Sequence, residues 1–576
     1  MTRERSARWQ VAEGDSATAA SLAQQLGVPG PVAHVYLSRG LDTPQKLRDY
    51  ADMGMHKLHS PCLLPDIDAA TARLEHAIRT REHIKVVGDY DVDGITATAV
   101  AVLGLQRLGG LVSWQLPNRI TDGYGLHPAT VERCAADGAD VILAVDCGTT
   151  AHDASAVARL QGVDIIIADH HMPAASGVLP ECTAIVNPQR ADSAYPFRGL
   201  ASVGLVMKLM QAVGEKFGVS GSESVDSVVD LVALGTVADM SPMVDENRSL
   251  VTLGCQRLSA SMRPGVQQLL RLAQVHRVTP VTIGYALGPR INAVGRLSDP
   301  TDALRLLLES DFGWAGEYAN RLDEANGARQ YQQQQAVTEA VSMLPPDMSA
   351  HPVIVVWSRD WHAGIIGLVA GELAKRLHRP AVVCAVGDDG TTKGSRRSFA
   401  SFNILKALDS EPVWELFSHY GGHEYAAGFT IGSDLLPLLA EQLTAYAAGV
   451  IDANGLAPVV AIDAELPAAD ITTNTYESLL CLAPFGEQNR TPTFLTRGLR
   501  VAHASRMGPG GRHLKLRFRV DHATGAPVDA ILWRQGERIA ECPVGASVDA
   551  AYSLTMDEYR GKANLVLTLE DLRRAE

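Results

Sequence analysis

No run in this chain approaches the ~18 uninterrupted apolar residues that a membrane span needs. Residues 1–8 lead into no apolar region of the kind a secretory signal carries. Neither a membrane-spanning nor an exported protein is expected. The eight cysteines are scattered and none sits in a C-x-x-C pair. That argues against a disulfide framework or a thiolate zinc site and fits a reducing, cytoplasmic setting. A basic excess is missing too, since the formal charge is −14. Taken alone, this weighs against a nucleic-acid partner. The sum is a poor guide, however, where acids gather around metals and bases gather elsewhere. Residues 220–345 hold no coiled-coil heptad.

What is present is ordinary globular composition, 46% hydrophobic and 20% charged. At 576 residues, a chain of about three to five domains is expected. Residues 1–60 read as a helical accessory segment that packs on the domain after it. Two prolines, Pro61 and Pro65, then break the chain. From there, largely apolar β-like runs (84–87, 111–116, 141–145, 163–168 and 183–186) alternate with helical stretches (95–108, 128–136 and 151–160). That alternation indicates a doubly wound parallel sheet. The α/β region with a helical extension is placed at 61–310. A long linking helix, 317–344 within a segment 311–345, follows it. A second α/β domain at 346–452 carries strands 353–357 and 381–386 and a helix 364–377. Residues 453–576 change to short alternating strands, 459–462, 514–520, 530–533 and 565–569, which read as a small OB-type β-barrel.

The chemistry gathers at strand ends. The run Ile84–Val87 leads into Gly88-Asp89-Tyr90-Asp91-Val92-Asp93-Gly94. If extended geometry persists, Asp89, Asp91 and Asp93 point to one side. Two readings are open for this stretch alone: an acidic turn with Asp93 capping the next helix, or a cation site. The run 141–145 ends in Asp146-Cys147-Gly148, and the run 163–168 in Asp169-His170-His171. Sites in open parallel sheets form at the carboxyl ends of strands. Asp239, at the end of an apolar helix, is placed to close the cluster. Oxygen ligands with one or two imidazoles and no thiolate suit Mn2+ or Mg2+ better than zinc. So many carboxylates suit two ions sharing one of them, an arrangement that serves phosphate-ester hydrolysis.

These three segments resemble the successive motifs of the DHH phosphoesterases. Gly288-Pro289-Arg290-Ile291-Asn292-Ala293-Val294-Gly295-Arg296-Leu297 is similar to a further motif of the RecJ branch of that family. Trp361 to Gly367 and Gly421 to Gly428 resemble its second domain, DHHA1, and Leu482 to Asn489 the opening of its OB-type domain. The likeness runs from about residue 60 to the end. It implies a single-strand-specific DNA exonuclease that degrades from the 5′ end and acts in repair and recombination. It also implies that Asp89, Asp91 and Asp146 hold one ion, that Asp93, Asp146, His170 and Asp239 hold the other, and that His171 meets the scissile phosphate. Asp169 is then a group that orients an imidazole.

By the same resemblance, Arg119, Arg290, Asn292, Arg296, Ser395 and Arg397 contact the 5′-phosphate end and backbone, because guanidinium forks suit phosphate oxygens; for His423 two readings are open, substrate contact and simple packing. Lys393 to Ser398 reads as a backbone-rich turn in which Arg396 replaces an expected small residue. His423 reads as preceding a helix start, where an anion is favoured. In the barrel, alternation puts Lys515, Arg517 and Arg519 on one face, with Arg506 and Arg512 in the loop before it, which suits a phosphate backbone. The alternative for that face is plain solvation.

Single-stranded DNA is thus the expected partner, with a helicase and a single-strand-binding protein implied by the family alone. No membrane is expected, and a monomer is reasonable. Two alternatives stand: the same chemistry on short oligoribonucleotides or cyclic dinucleotides, and a non-catalytic DNA-binding relative. The amino-terminal segment and the basic barrel count against the former, the full set of acids and histidines against the latter.

Overall fold

A computed structural model describes residues 7–345, 347–348, 351–398, 402–410, 413–423, 426–451, 457–520, 527–559 and 562–575. The chain forms two compact units. One comprises Met53–Leu456 with Gly486–Gln488; the other comprises Arg3–Asp52, Ala457–Phe485 and Asn489–Glu576.

The first unit is organised by a five-stranded sheet in the order Leu111–Gln115, His83–Val87, Val141–Val145, Asp164–Ala168, Ala184–Val186, with every pair parallel. Its strands Val141–Val145 and Ala184–Val186 are apolar and buried throughout because both faces are covered. Val86, Leu143 and Ile166 enter one core with the helices Val92–Arg107, Ser202–Glu215 and Val229–Ala238. Val87, Ile142, Ala144 and Ile167 enter a second core with the helices Pro128–Ala136 and His152–Gln161. The period of two along each strand sorts neighbouring residues to opposite cores.

The helix Phe312–Met343 is longer than the sequence pattern suggests. Ala315, Ala319 and Leu322 on it enter the first core, whereas Ala336, Val337 and Ala340 enter the core of a second sheet. One helix therefore belongs to both cores. The second sheet runs Phe417–His423, Ala426–Gly432, Thr391–Arg397, Ala381–Val386, Ile354–Ser358 and is parallel only between its last two strands. Two local expectations are corrected here. Residues 393–397 lie in a strand, not a turn, and residues 421–423 and 426–428 lie on two antiparallel strands rather than at a helix start.

In the second unit, the strands Phe494–Met507, His513–Arg519, Val528–Leu532, Lys562–Arg574 and Ser547–Tyr559 close on themselves through the pairing of the first with the last. Closure leaves no free sheet edge. The amino-terminal segment is also corrected. It opens with a strand, Arg8–Val11, that pairs in parallel with Val459–Ile462. Its helices place Leu22, Val32, Val35 and Tyr36 in the barrel's core, not on the domain that follows in sequence. Trp9 adds a hydrogen bond from Nε1 to Asp571 Oδ2 at 2.7 Å.

Candidate metal centre and phosphate cavity

The parallel sheet delivers its acids to one edge, but not by the geometry the alternation suggests. Extended chain ends at Asp91, which caps the helix Val92–Arg107 by accepting from Gly94 N at 3.1 Å. Asp93 therefore joins the group from the first helical turn. A Cβ on Gly94 would stand 2.6 Å from Asp89 N, so glycine lets the helix start against the strand end. The expectation that Asp93 caps this helix is corrected, since the cap is Asp91 and Asp93 lies inside the first turn. Asp91 caps, while Asp89 and Asp93, 3% and 1% exposed, sit buried beside it.

Asp146 takes a left-handed backbone conformation, φ +62°, at the end of the central strand. A non-glycine residue there costs about 1–3 kcal/mol and is tolerated where the surroundings enforce it. Potential ligand atoms form three overlapping triads, each within 4.8 Å: Asp89, Asp91 and Asp146; Asp146, His170 and His171; Asp93, His170 and Asp239. His170 Nε2 lies 3.5 Å from Asp146 Oδ1 and 4.0 Å from Asp93 Oδ2, while its Nδ1 lies 4.0 Å from Asp239 Oδ2. Asp93 is further fixed by Ser202 N and Val203 N, which donate at 2.7 and 2.9 Å from the start of the helix Ser202–Glu215.

The electrostatics of this cluster fit divalent cations. Burial, and then the neighbouring carboxylates, push Asp89, Asp93 and Asp146 well above the usual carboxylate range. Burial also raises Asp239. Asp89 Oδ1 and Asp146 Oδ1 are buried with no hydrogen-bond partner among the described residues. Unpaired carboxylate oxygens facing one another are the donor set that a hard cation takes.

His171 Nδ1 lies 3.9 Å from Asp146 Oδ1, but its nearest carboxylate is Asp169. Its Nδ1 is 2.8 Å from Asp169 Oδ1, which also accepts from His171 N. Burial works against ionisation of either group, but their mutual charge and hydrogen bond prevail. Asp169 is held below its ordinary range, and His171 is raised to about 9. Asp169 Oδ2 accepts from Thr149 N at 3.0 Å. Asn187, after the last strand of the sheet, donates Nδ2 to Thr149 Oγ1 and to the His171 carbonyl. Tyr124 brings its hydroxyl to 2.9 Å from His171 Nδ1 and 3.3 Å from the Asp146 carbonyl. Sequence reasoning missed Thr149, Asn187 and Tyr124. The signal available for Asn187 was its place after a fourth apolar strand, at the same sheet edge as the acids.

Beside this edge lies a cavity of about 390 Å³ lined by Arg119, Arg296, Lys393, Ser395 and Arg397 among others. Lys393, Ser395 and Arg397 alternate along one strand, so all three face it, whereas Arg396 faces the apolar core on the other side. Burial and the charges of Arg119, Arg329 and Arg397 pull Arg296 down to about 9. Burial and Arg119 lower Arg397 as well. Cations depressed by one another mark a site prepared for an anion.

The remaining phosphate candidates separate. Arg290 is directed elsewhere: it pairs with Asp323 at 2.8 Å and donates to the Ala286 carbonyl, outside the cavity lining. Asn292 is also absent from that lining, with Oδ1 buried and unpartnered among the described residues. The side chain of His423 lies outside what the structure describes.

On the barrel, Lys515, Arg517 and Arg519 share one face, in the burial alternation of the strand His513–Arg519. They are not free of acids. Asp529, on the adjacent strand, lies 2.9 Å from Lys515 Nζ and 2.7 Å from Arg517 Nε. Arg519 faces Arg500 in the register instead. Arg506 lies not in the loop but in the strand Phe494–Met507, where it donates Nε to the Gly536 carbonyl at 2.9 Å; Arg512 is exposed.

Three family models match the chain in order: "DHH family, N-terminal domain" over residues 83–236, "DHHA1 domain" over 350–449 and "RecJ OB domain" over 462–571. The single-stranded-DNA-specific exonuclease RecJ of Bacillus subtilis is 31% identical over 99% of this chain and 71% of its own length. That of Dickeya dadantii is 33% identical, covering 95% and 96% of the two chains. The crystal structure of RecJ in complex with Mn2+ from Thermus thermophilus superposes with a TM-score of 0.82 at 30% identity, over 99% of this chain and 80% of that one.

Proposed function

We propose, from the premise that this chain belongs to the RecJ family, that it is a two-metal exonuclease on single-stranded DNA. It hydrolyses phosphodiester bonds from the 5′ end and releases 5′-mononucleotides. The observation that carries this reading is the sharing of Asp146 between two ligand triads at a sheet edge that lies next to a cavity lined by Arg119, Arg296, Lys393 and Arg397. Asp89, Asp91 and Asp146 hold one Mn2+ or Mg2+ ion; Asp93, Asp146, His170 and Asp239 hold the other. When bound, the ions activate the attacking water and offset charge developing on phosphorus.

The chain's own residues do the rest. Asp89, Asp93 and Asp146, all buried, would hold the ions at the sheet edge with little access for bulk water. Asp169 accepts from Nδ1 and so orients the His171 ring, leaving Nε2 free to face the substrate. Its Nε2 proton then donates to an oxygen of the scissile phosphate and follows the charge that grows there. Arg119, Arg296, Arg397 and Ser395 take the terminal 5′-phosphate. Anchoring that end sets the polarity, and the one-strand cavity between the two sheets excludes a duplex. The barrel tracks the downstream backbone without reading bases.

The functional parts follow the boundaries 1–60, 61–310, 311–345, 346–452 and 453–576, with the barrel as the nucleic-acid-binding domain. The enzyme works as a monomer in the cytoplasm, in repair and recombination, and takes strands exposed by a helicase and covered by a single-strand-binding protein.

The test is digestion of single-stranded DNA, labelled at either end, with Mn2+. The proposal expects mononucleotides from the 5′ end and no product with Asp146→Ala. Activity confined to dinucleotides or short RNA would contradict it.

A further inference from the structure

The loop between the strand Leu111–Gln115 and the helix Pro128–Ala136 touches both halves of the site. Near its start, Arg119 lines the cavity and stacks over the Tyr90 ring at 4.2 Å. Tyr90 stands between Asp89 and Asp91 in sequence. Arg119 Nε is buried without a partner among the described residues. Five residues later, Tyr124 reaches the other half, through His171 Nδ1 and the Asp146 carbonyl. The His171 Nδ1 proton is already committed to Asp169. The Tyr124 hydroxyl therefore gives its own proton to the carbonyl and shares the imidazole N–H from the opposite side.

Between these two contacts the chain is tied to itself. Asn118 N donates to Asp122 Oδ2 at 2.8 Å, Ile120 N to Asn118 Oδ1 at 2.8 Å, and Asp122 N and Gly123 N to the Asn118 carbonyl at 2.9 and 3.2 Å. Gly123 and Gly125, at φ +77° and +107°, turn the chain on each side of Tyr124 in a region that side chains avoid. From the second sheet, Lys393 Nζ donates to the Ile120 carbonyl at 3.0 Å and holds the middle of the loop. A segment cross-linked in this way moves as one body, so the position of Arg119 is coupled to that of His171.

We propose that residues 118–125 form a rigid spacer between the terminal-phosphate cavity and the metal edge, with Tyr124 as its anchoring residue, and that this spacer sets how many nucleotides leave per cut. The inference rests on the function proposed above. If the cavity holds the 5′-phosphate and the metal edge holds the scissile one, the distance between them selects the bond that is cut. Tyr124 is a positioning residue; it acts through His171 and the Asp146 backbone.

The experiment uses the full chain with Mn2+ and 5′-phosphorylated, 3′-labelled single-stranded DNA, and resolves the products of the first cut. Wild type gives mononucleotides. Tyr124→Phe removes the hydroxyl and keeps the ring. Dinucleotides should then rise to about a tenth or more of first-cut products while kcat falls about 10- to 100-fold, since small misplacements are costly. Insertion of one glycine between Gly123 and Tyr124 lengthens the spacer with the hydroxyl present and should shift the products further. It also keeps the question open to test if the Tyr124→Phe protein does not fold. Mononucleotides alone from every folded variant, whatever their rate, overturn the spacer. Failure of the wild type to release mononucleotides overturns instead the function on which it rests.

Discussion

Asp169 Oδ1 lies 2.8 Å from His171 Nδ1 and fixes which imidazole nitrogen carries the committed proton. The same carboxylate, 1% exposed, is held from its other oxygen by Thr149 N. It thus sets both the charge and the orientation of His171. Asp169→Asn keeps the shape and removes the charge, so His171 is neutral at pH 7 more of the time. We expect kcat to fall by about 10²- to 10⁴-fold, the range seen when the orienting acid of a catalytic imidazole is neutralised. Binding of single-stranded DNA in EDTA should change less than about 3-fold, because the charge removed is far smaller than that of the cation cavity. Equal losses in both would show that Asp169 only supports the fold.

The metal-free protein should lose stability as pH rises. Asp89, Asp93, Asp146 and Asp239 all titrate above their ordinary range when folded. The folded state therefore binds more protons than the unfolded one, and stability falls with pH. His171, raised to about 9, has the same sign: its contribution is complete below its unfolded value and is lost as pH passes 9. Asp169, held low, opposes this only in acid. Divalent ions replace the protons. The shift in melting temperature caused by saturating Mn2+ should thus grow from pH 5 to pH 8. A shift that shrinks over that interval would contradict the assignment of the cluster.

The barrel face should be unequal. Asp529 already neutralises much of Lys515 and Arg517, whereas Arg519 has no acidic partner among the described residues and faces Arg500. With single-stranded DNA in EDTA, Arg519→Ala should weaken binding and lower the salt slope by about 0.7. Lys515→Ala should do less, and Asp529→Asn should tighten binding. Titrations by fluorescence anisotropy at several salt concentrations decide it; equal effects of Lys515→Ala and Arg519→Ala would mean that Asp529 does not compete with phosphate.

Arg396 is the chain's least expected core residue. It is 0% exposed, its guanidinium lies 5.5 Å from the Phe429 ring centre, and none of its three nitrogens has a hydrogen-bond partner among the described residues. Burial pulls it down to about 9. Replacing a buried, unpaired charge by a chain of similar volume commonly stabilises by about 1–3 kcal/mol. Arg396→Met should therefore raise the denaturation midpoint and leave the exonuclease rate unchanged. A lower midpoint would mean that the guanidinium is satisfied in the folded protein.

Much of the candidate site was legible because its ligands follow apolar strands. Asp89, Asp146 and Asp169 announce themselves as the first polar residues after Val87, Val145 and Ala168. Asp93 was placed correctly for a wrong reason, since a helical turn rather than continued extension brings it to the edge. Other features depend on pairings that a single sequence does not print. Asp529 neutralises Lys515 and Arg517 only through cross-strand register. The segment Arg8–Val11 finds its partner at Val459–Ile462, some 450 residues away in sequence. The arginines of the cavity read alike as sequence, yet Arg290 is committed to Asp323 and Arg296 is not. The stretch around His423 looks like a helix start because its glycines and alanines are small. Phe417–His423 and Ala426–Gly432 instead pair as antiparallel strands.

Metal stoichiometry tests the central claim most directly. Titration of the metal-free wild type with Mn2+ by calorimetry should show two ions. Asp89→Asn should retain one, and Asp146→Asn, which removes the shared ligand, should lose tight binding of both. A single ion in the wild type, or two in Asp146→Asn, would contradict a bridged pair at this sheet edge.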